Sequence, residues 1–144
     1  MKKIRKRHDI YFHVETIGMS ELGTPIHAYH LSGLQGVTNL TFLSTEGLFP
    51  DPEEERALKF PLKKYIFILG RTLASDSHSN FFVEGFLNSV FEKDRSALEF
   101  LNEFVIVVVP IVNVDGANLG HTFADENGEN IESQFKNPVK KKSL

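Results

Sequence analysis

The polar segment GRTLASDSHSN, residues 70–80, contains one carboxylate and one histidine that could serve as metal ligands. Asp76 and His78 form an Asp-x-His pair that could approach one cation, and His121 belongs to a second polar segment further along the chain. A catalytic zinc site ordinarily takes three protein ligands and a water molecule. Because the spacing gives no third ligand of known position, we favour a helix start in which Asp76 or a neighbouring serine caps exposed amides. Asp76 and His78 are kept as the metal candidates.

Other polar residues of the sequence have structural explanations. His27 and His30 are three apart in a predicted strand and point to opposite faces of it, so they cannot act as a pair. The segment ADENGEN lacks the alternating acidic register of a calcium loop, and its Asn127-Gly128 pair predicts a turn. Asn113, Asp115 and Gly116 likewise suit a tight turn. The acidic segment GLFPDPEEER, residues 47–56, is predicted to be a solvated loop.

Four segments of the sequence predict strands of an α/β fold. Residues 9–17 and 25–33 alternate between apolar and polar side chains, and the Gly- and Ser-containing segment between them predicts a hairpin. Residues 65–70, YIFILG, and residues 104–112, FVIVVVPIV, are continuous apolar runs. Such runs are typical of strands covered on both faces, so we expect these two strands at the centre of the sheet.

Two helices are predicted between the central strands. An apolar stripe at helical spacing, which should face the sheet, consists of Phe82, Val83, Phe86, Leu87, Val90 and Phe91. Gly85 within it suggests a close approach of helix to strand, and residues 96–99, SALE, have capping-box spacing. A strand, helix, strand unit makes a parallel crossover. The loops at residues 71–78 and 111–121 should therefore open on one edge of the sheet, where ligands bind in such folds.

Composition limits the class of protein. The chain has 144 residues, of which 41% are hydrophobic, so it can bury the core of one domain. Its net charge of −3 gives no global reason to expect nucleic acid binding, and the lack of cysteine excludes disulfides and thiolate zinc sites. No apolar run approaches the roughly 20 residues that span a membrane, and no signal peptide is predicted, so an intracellular location is favoured. Residues 1–8 are interpreted as a basic leader and residues 139–144 as a basic tail.

Three segments in order resemble the motifs of the zinc carboxypeptidase family, particularly its cytosolic branch that trims glutamates from tubulin. They are GRTLASDSHSNFFVEGFL, VVVPIVNVDGANLGHTF and GENIESQFKNP, and the earlier GMSELGTPI is similar to a further element of that family. The resemblance extends from Ile17 to Pro138 and covers about the first half of the family's catalytic domain. It implies a mixed sheet of the zinc carboxypeptidase type flanked by helices. Residues 9–138 would form one part of that domain.

The same resemblance implies that the catalytic positions have degenerated. Leu73 stands where the family has its first zinc-ligand histidine, and Asp76 stands where it has a ligand glutamate. Phe123 replaces the arginine that polarises the scissile carbonyl, and Glu132 and Ser133 replace the Asn-Arg pair that grips a terminal carboxylate. The family's third zinc ligand and its general-base glutamate come from its second half, which this sequence does not include. The resemblance thus implies no bound cofactor.

These replacements predict a catalytically inactive structural or interaction subunit of a larger protein assembly. Two alternatives stay open: one half of a split zinc carboxypeptidase, or a module that binds peptides without cutting them. We also expect other protein subunits to dock along the Tyr65–Leu69 strand. A long apolar strand at a sheet edge would otherwise present unpaired backbone groups.

Overall fold

The structure is a computed structural model, which describes residues 8–43, 45, 47–92, 94–125, 127–130 and 133. The predicted basic leader, apart from residue 8, and the basic tail lie outside the described residues, as does Glu132. The described elements follow the order strand, strand, strand, helix, helix, strand, helix. They are β1 (Ile10–Met19), β2 (Pro25–Gly33), β3 (Lys64–Leu69), α1 (Ser77–Phe91), α2 (Arg95–Glu103), β4 (Phe104–Val109) and α3 (Val114–Leu119).

The strands form one mixed four-stranded sheet in the order β1-β2-β4-β3. β1 and β2 pair antiparallel as the predicted hairpin, and their turn is closed by the bond from Ser20 N to Thr24 O at 2.9 Å. β2 pairs antiparallel with β4, and β3 pairs parallel with β4 from Lys64 opposite Phe104 to Leu69 opposite Val109. The predicted mixed α/β fold and its parallel crossover are therefore confirmed.

The two continuous apolar runs have different places in the sheet. β4 is central, and its residues 105–109 are all buried. β3 lies at an edge of the described sheet, where Phe67 is 66% exposed and Leu69 is 52% exposed. Among the described strands only β4 is central as predicted. β3 lies at the edge, which is the position that the expected docking along Tyr65–Leu69 assumes. A continuous apolar run indicates that the faces of a strand are covered but does not say whether a further strand pairs beside it.

The core has two layers, one on each face of the sheet. On the first face, called the helix face, Leu31, Ile106 and Val108 of the sheet pack with Val83 and Val90 of α1 and Leu101 of α2, among others. On the second face Ala28, Val105, Val107 and Val109 pack with Phe60, which belongs to the long connection between β2 and β3. Helices therefore cover one face, and an irregular segment covers part of the other.

The apolar stripe of α1 is only partly covered. Val83 and Val90 are buried as predicted, whereas Phe82 is 64% exposed and stacks on Phe86 at a centroid distance of 6.4 Å. Gly85 is exposed, and a Cβ there would meet no atom within 4 Å, so the predicted close approach of the helix at Gly85 is wrong. The close approach lies instead at Gly70, where a Cβ would come 2.4 Å from Pro110 O.

The start of α2 also differs from the prediction. The helix begins at Arg95, after the N-cap residue Asp94, so Ser96 lies inside the first turn and cannot be the first member of a capping box. Its hydroxyl instead bonds to the Asp94 carboxylate. Glu99 pairs with Arg95 at 2.8 Å, one turn back along the helix. An ion pair at i,i+4 therefore replaces the predicted capping box.

Candidate functional site

The loops that follow β3 and β4 lie against each other at the carboxyl edge of the sheet, as predicted. Val112 N donates to Gly70 O at 3.0 Å, and Asn113 N donates to Arg71 O at 3.1 Å. Further out, Ser75 N donates to Thr122 O at 3.0 Å. The two loops therefore form one hydrogen-bonded surface at the edge where open α/β sheets bind ligands.

Asp76 is the N-cap residue of α1. Its Oδ1 accepts the Ser79 N–H at 3.3 Å, and its carbonyl accepts the Ser79 hydroxyl at 2.7 Å. The Ser79 oxygen in turn accepts the Arg71 N–H at 2.8 Å. Arg71 is the first residue of this loop after Gly70 and has a φ of +48°. Its Nε donates to Ala74 O at 2.8 Å, so the Arg71 side chain stabilises the loop. The capping interpretation of Asp76 is confirmed.

The second loop is held by an amide and a carboxylate that are both buried. Asn113 caps α3, because its Oδ1 accepts the Gly116 N–H at 2.9 Å, and its Nδ2 donates to Ala124 O at 3.1 Å. Asp115 accepts the Ser20 hydroxyl at 2.8 Å and the Leu22 N–H at 3.0 Å. The predicted tight turn is thus the first turn of a short helix, and it fastens the β1–β2 hairpin to the site edge.

Burial alone would raise the pKa of the Asp115 carboxyl. The bonds from the Leu22 N–H and from the Ser20 and Thr24 side chains outweigh burial and hold that pKa below its ordinary value. Asp115 therefore stabilises the fold as a carboxylate, and its oxygens are committed to the hairpin turn rather than to the edge of the sheet.

The other predicted site residues do not assemble into a ligand set. Leu73 is half-buried and His78 is exposed. The ring of His121 makes a 2.7 Å contact from Nδ1 to Asp125 O, and Phe123 is 58% exposed. No group of three or more histidine or acidic residues that could hold a metal ion occurs in the described part of the chain.

The last predicted site positions are only partly described. Ser133 is exposed, and its hydroxyl donates to Asn130 O at 2.7 Å, while Glu132 lies outside the described residues. Just before them, the Asn127-Gly128 turn is confirmed. Gly128 has a φ of +83°, and Asp125 Oδ1 accepts the N–H groups of Asn127 and Glu129 at 2.9 and 2.8 Å.

Sequence reasoning missed a buried charged cluster on the second face of the sheet. Glu15 is 2% exposed; its Oε1 lies 2.8 Å from His30 Nε2, and its Oε2 lies 3.4 Å from Arg56 Nη1. Ala57 N also donates to Oε2 at 3.1 Å. The available signal was a glutamate and a histidine at inward-facing positions of two strands that pair in the hairpin.

Lys63 is a second group that sequence reasoning missed. Its Nζ donates to Ser32 Oγ at 2.8 Å, to Gly33 O at 2.7 Å and to Leu101 O at 3.0 Å, and burial lowers the pKa of the ammonium group. All three protons are therefore used to join the end of β2 to the last turn of α2. The role of Lys63 is structural.

Comparisons with known proteins agree with this architecture. The family model described as zinc carboxypeptidase matches residues 1–142. The chain belongs to the zinc carboxypeptidase family. It is 30% identical over 130 residues to cytosolic carboxypeptidase-like protein 5 of Bos taurus, and 28% identical over 130 residues to the Homo sapiens protein of the same name. Both matches cover 90% of this chain and 15% of the relative, so the chain spans a small part of the curated relatives that it matches.

Solved structures show the same fold. The metallo-carboxypeptidase from Burkholderia cenocepacia superimposes with a TM-score of 0.68 at 19% identity, over 97% of this chain and 31% of that one. The metallo-carboxypeptidase from Pseudomonas aeruginosa gives 0.58 at 17% identity, over 90% of this chain and 29% of that one. The predicted partial domain of the zinc carboxypeptidase type is therefore confirmed as a fold.

Family membership implies zinc, but the described residues do not fit a zinc site. A leucine side chain has no atom that can coordinate, and Asp76 alone falls short of the three protein ligands of a catalytic zinc. The Asp76 carboxylate is also engaged with the first turn of α1.

None of the helices in the described ranges has the length and apolar character needed to cross a bilayer.

Proposed function

We propose that this chain is a catalytically inactive carboxypeptidase-like segment that serves as a structural or interaction unit of a larger assembly. The observation that carries the proposal is the use of Asp76. Its Oδ1 accepts a backbone N–H of α1, and Leu73 occupies the position that the motif resemblance assigns to the first zinc ligand. A helix cap and a leucine explain this loop without a metal.

The second loop supports the same proposal. The motif resemblance assigns Phe123 to the position of the arginine that polarises the scissile carbonyl, and its exposed ring offers neither a charge nor a hydrogen-bond donor. Electrostatic stabilisation of a developing oxyanion usually supplies the largest part of the rate enhancement. Phe123 therefore cannot supply that stabilisation.

The exposed edge of β3 supports an interaction role. Phe67 and Leu69 are both more than half exposed, and β3 pairs with β4 alone among the described strands. At the opposite edge of the sheet, β1 has contacts from residues 49–54, because Phe49 N donates to Ile17 O at 3.0 Å and Thr16 N donates to Glu54 Oε2 at 3.0 Å. We propose that another polypeptide docks along Tyr65–Leu69 and buries more than the roughly 1,000 Å² expected of a biological interface.

A matched pair of variants tests the docking surface. Phe67→Asp should abolish co-purification of the partner, because it places a charge in the centre of the proposed interface. Leu43→Asp changes an even more exposed apolar residue, 82% exposed, outside that strand and should leave the partner bound. Equal retention of the partner by both variants would contradict docking along β3.

We place the assembly inside the cell. The support is the name of the similar proteins, cytosolic carboxypeptidase-like protein 5. This location also agrees with a sequence that has no cysteine to form disulfides.

Peptide hydrolysis tests the proposed inactivity. The natural polypeptide that contains this chain, purified with its associated chains, should release no glutamate from peptides ending in glutamate runs, with or without added zinc. The matched variant is Asp76→Asn, which keeps the helix cap and removes the carboxylate. Zinc-dependent release that a chelator stops and Asp76→Asn abolishes would contradict the proposal and support the split carboxypeptidase instead.

A further inference from the structure

Residues 49–58, here called the strap, lie along β1 on the second face of the sheet. At one end, Phe49 N donates to Ile17 O at 3.0 Å, next to the irregularity in the β1–β2 register between Thr16 and Gly18. At the other end, Leu58 N donates to the Tyr11 hydroxyl at 2.9 Å. The strap is thus fastened at both ends to one strand.

Side chains make most of the remaining bonds between the strap and β1. The Glu54 carboxylate accepts the Thr16 N–H at 3.0 Å, and His13 Nε2 lies 2.9 Å from Glu55 O. None of these bonds belongs to the ladder that joins β1 to β2. Breaking these bonds therefore leaves the β1–β2 ladder intact. The far end of the strap is also paired with a neighbouring segment, because Phe42 N donates to Ala57 O at 3.2 Å and Thr41 forms a β-bridge with Leu58.

Glu15 connects the strap to the interior of the sheet. Its carboxylate is buried and accepts the Ala57 N–H at 3.1 Å from the strap, while its other oxygen lies 2.8 Å from His30 on β2. Arg56 of the strap lies 3.4 Å from the same carboxylate. One side chain therefore joins β1, β2 and the strap.

The closed strap also contains two costly features. Phe49 has a φ of +61°, a left-handed conformation that is an outlier for a bulky residue. The Arg56 guanidinium lies 3.0 Å above the Phe49 ring, and its Nε, Nη1 and Nη2 are buried without an aligned hydrogen bond. Such strain persists only when surrounding contacts enforce it, and the Glu15 carboxylate is the charge that balances Arg56.

We propose that the strap is detachable: it is pinned to the sheet by Glu15 and opens as one unit while the four-stranded sheet remains folded. Opening would relieve the Phe49 backbone, hydrate Arg56 and uncover Glu15 and His30. This device is independent of the proposed lack of catalysis, since it lies on the second face of the sheet and uses none of the residues of the two site loops.

Acid should release the strap. Burial alone raises the pKa of Glu15, but the bonds from His30 and the Ala57 N–H and the charges of His30 and Arg56 outweigh burial and hold that pKa below its ordinary value. Because the folded-state pKa is depressed, the pinning is complete at neutral pH and is lost as the pH falls through the depressed Glu15 pKa. Protonation of Glu15 is therefore the releasing step, since it removes the charge that Arg56 faces. The titratable or charged groups around the pin are Tyr11, His13, His30, Glu54, Glu55 and Arg56.

Site-resolved hydrogen exchange on the natural polypeptide tests the proposal. In Glu15→Gln at pH 7, the strap amides of Phe49, Ala57 and Leu58 should exchange together and about tenfold or more faster, since the charge opposite Arg56 is lost and one carboxylate oxygen becomes an amide N–H group. The sheet amides of β4 should exchange as in the wild type. The control is Glu53→Gln, an exposed acid of the strap, which should leave all rates unchanged.

Three results would overturn the proposal. The strap amides of Glu15→Gln could keep their protection, Ala57 alone could accelerate, or β4 could lose protection to the same extent as the strap. If Glu15→Gln fails to fold, hydrogen exchange of the wild type is measured from pH 7 to pH 3, and each rate is corrected for the pH dependence of exchange in an unfolded chain. Joint loss of strap protection before any loss in β4 supports a pinned strap, and simultaneous loss contradicts it.

Discussion

The capping role of Asp76 leads to a prediction in which two substitutions of one residue must differ. Asp76→Ala removes the acceptor for the Ser79 N–H and leaves that amide without a protein partner. Asp76→Asn keeps an acceptor of nearly equal capping strength and removes only the charge. A residue that matters as a cap should tolerate asparagine, whereas a metal ligand should not.

The free-energy cost of Asp76→Ala can be estimated from the length of the Ser79 N–H···Asp76 hydrogen bond. Loss of an N-cap side chain costs about 0.5–2 kcal/mol. The 3.3 Å bond of Asp76 is longer than the common N–H···O separation of about 2.9–3.0 Å, so we expect the lower half of that range, about 0.5–1 kcal/mol. At 1.4 kcal/mol per tenfold, this is a roughly two- to fivefold rise in local opening of the first turn of α1. Asp76→Asn loses only the interaction with the helix dipole, about 0.3 kcal/mol, or less than a twofold rise.

Hydrogen exchange of the first-turn amides of α1 measures these effects without requiring that the whole protein unfold in one step. The Ser79 amide should respond most to Asp76→Ala, and amides near Val90, at the other end of the helix, should respond least. Equal effects of alanine and asparagine would refute the capping argument, because the charge would then matter more than the hydrogen bond. An unchanged rate in Asp76→Ala would refute it as well.

Two further predictions concern glycine and a buried carboxylate. Gly70→Ala should destabilise the fold by about 1–3 kcal/mol, since its Cβ would lie 2.4 Å from Pro110 O. Gly85→Ala, on an open helix face, should stabilise the fold by roughly 0.5–1 kcal/mol. Chemical denaturation measures both changes, and a Gly70→Ala variant as stable as the wild type would contradict the close approach. Asp115→Asn should cost about 1–3 kcal/mol at pH 7, because at least one of the groups that donate to the carboxylate would face an amide N–H. The difference from wild type should shrink as the pH falls through the depressed Asp115 pKa. A pH-independent difference would show that the charge of Asp115 is not involved.

The elements of the fold are largely predictable from apolar periodicity. The continuous run of β4 predicts a buried strand, and the alternating patterns of β1 and β2 predict their hairpin, because these signals depend on residues close in sequence. The place of β3 at the described edge is not predictable in this way. Its run is nearly as continuously apolar as that of β4, and the exposure of its side depends on strands that the run itself does not contain.

The site edge was predictable in part. The cap at Asp76 follows from a polar residue just before an apolar helical pattern, and the meeting of the two loops follows from the parallel crossover. The strap was not predicted, because the acidic composition of residues 47–56 is typical of a solvated loop. Its position is set by single contacts with residues about 40 positions away, such as Glu15 with Ala57, which no local pattern records.

The central claim is that the carboxyl edge of this sheet no longer holds a catalytic metal. Elemental analysis of the natural polypeptide that contains this chain, after mild dialysis, tests the claim most directly when wild type and Asp76→Asn are measured together. The account predicts that the two have the same zinc content, well below one ion per chain. About one zinc ion per chain in the wild type, lost in Asp76→Asn, would contradict it.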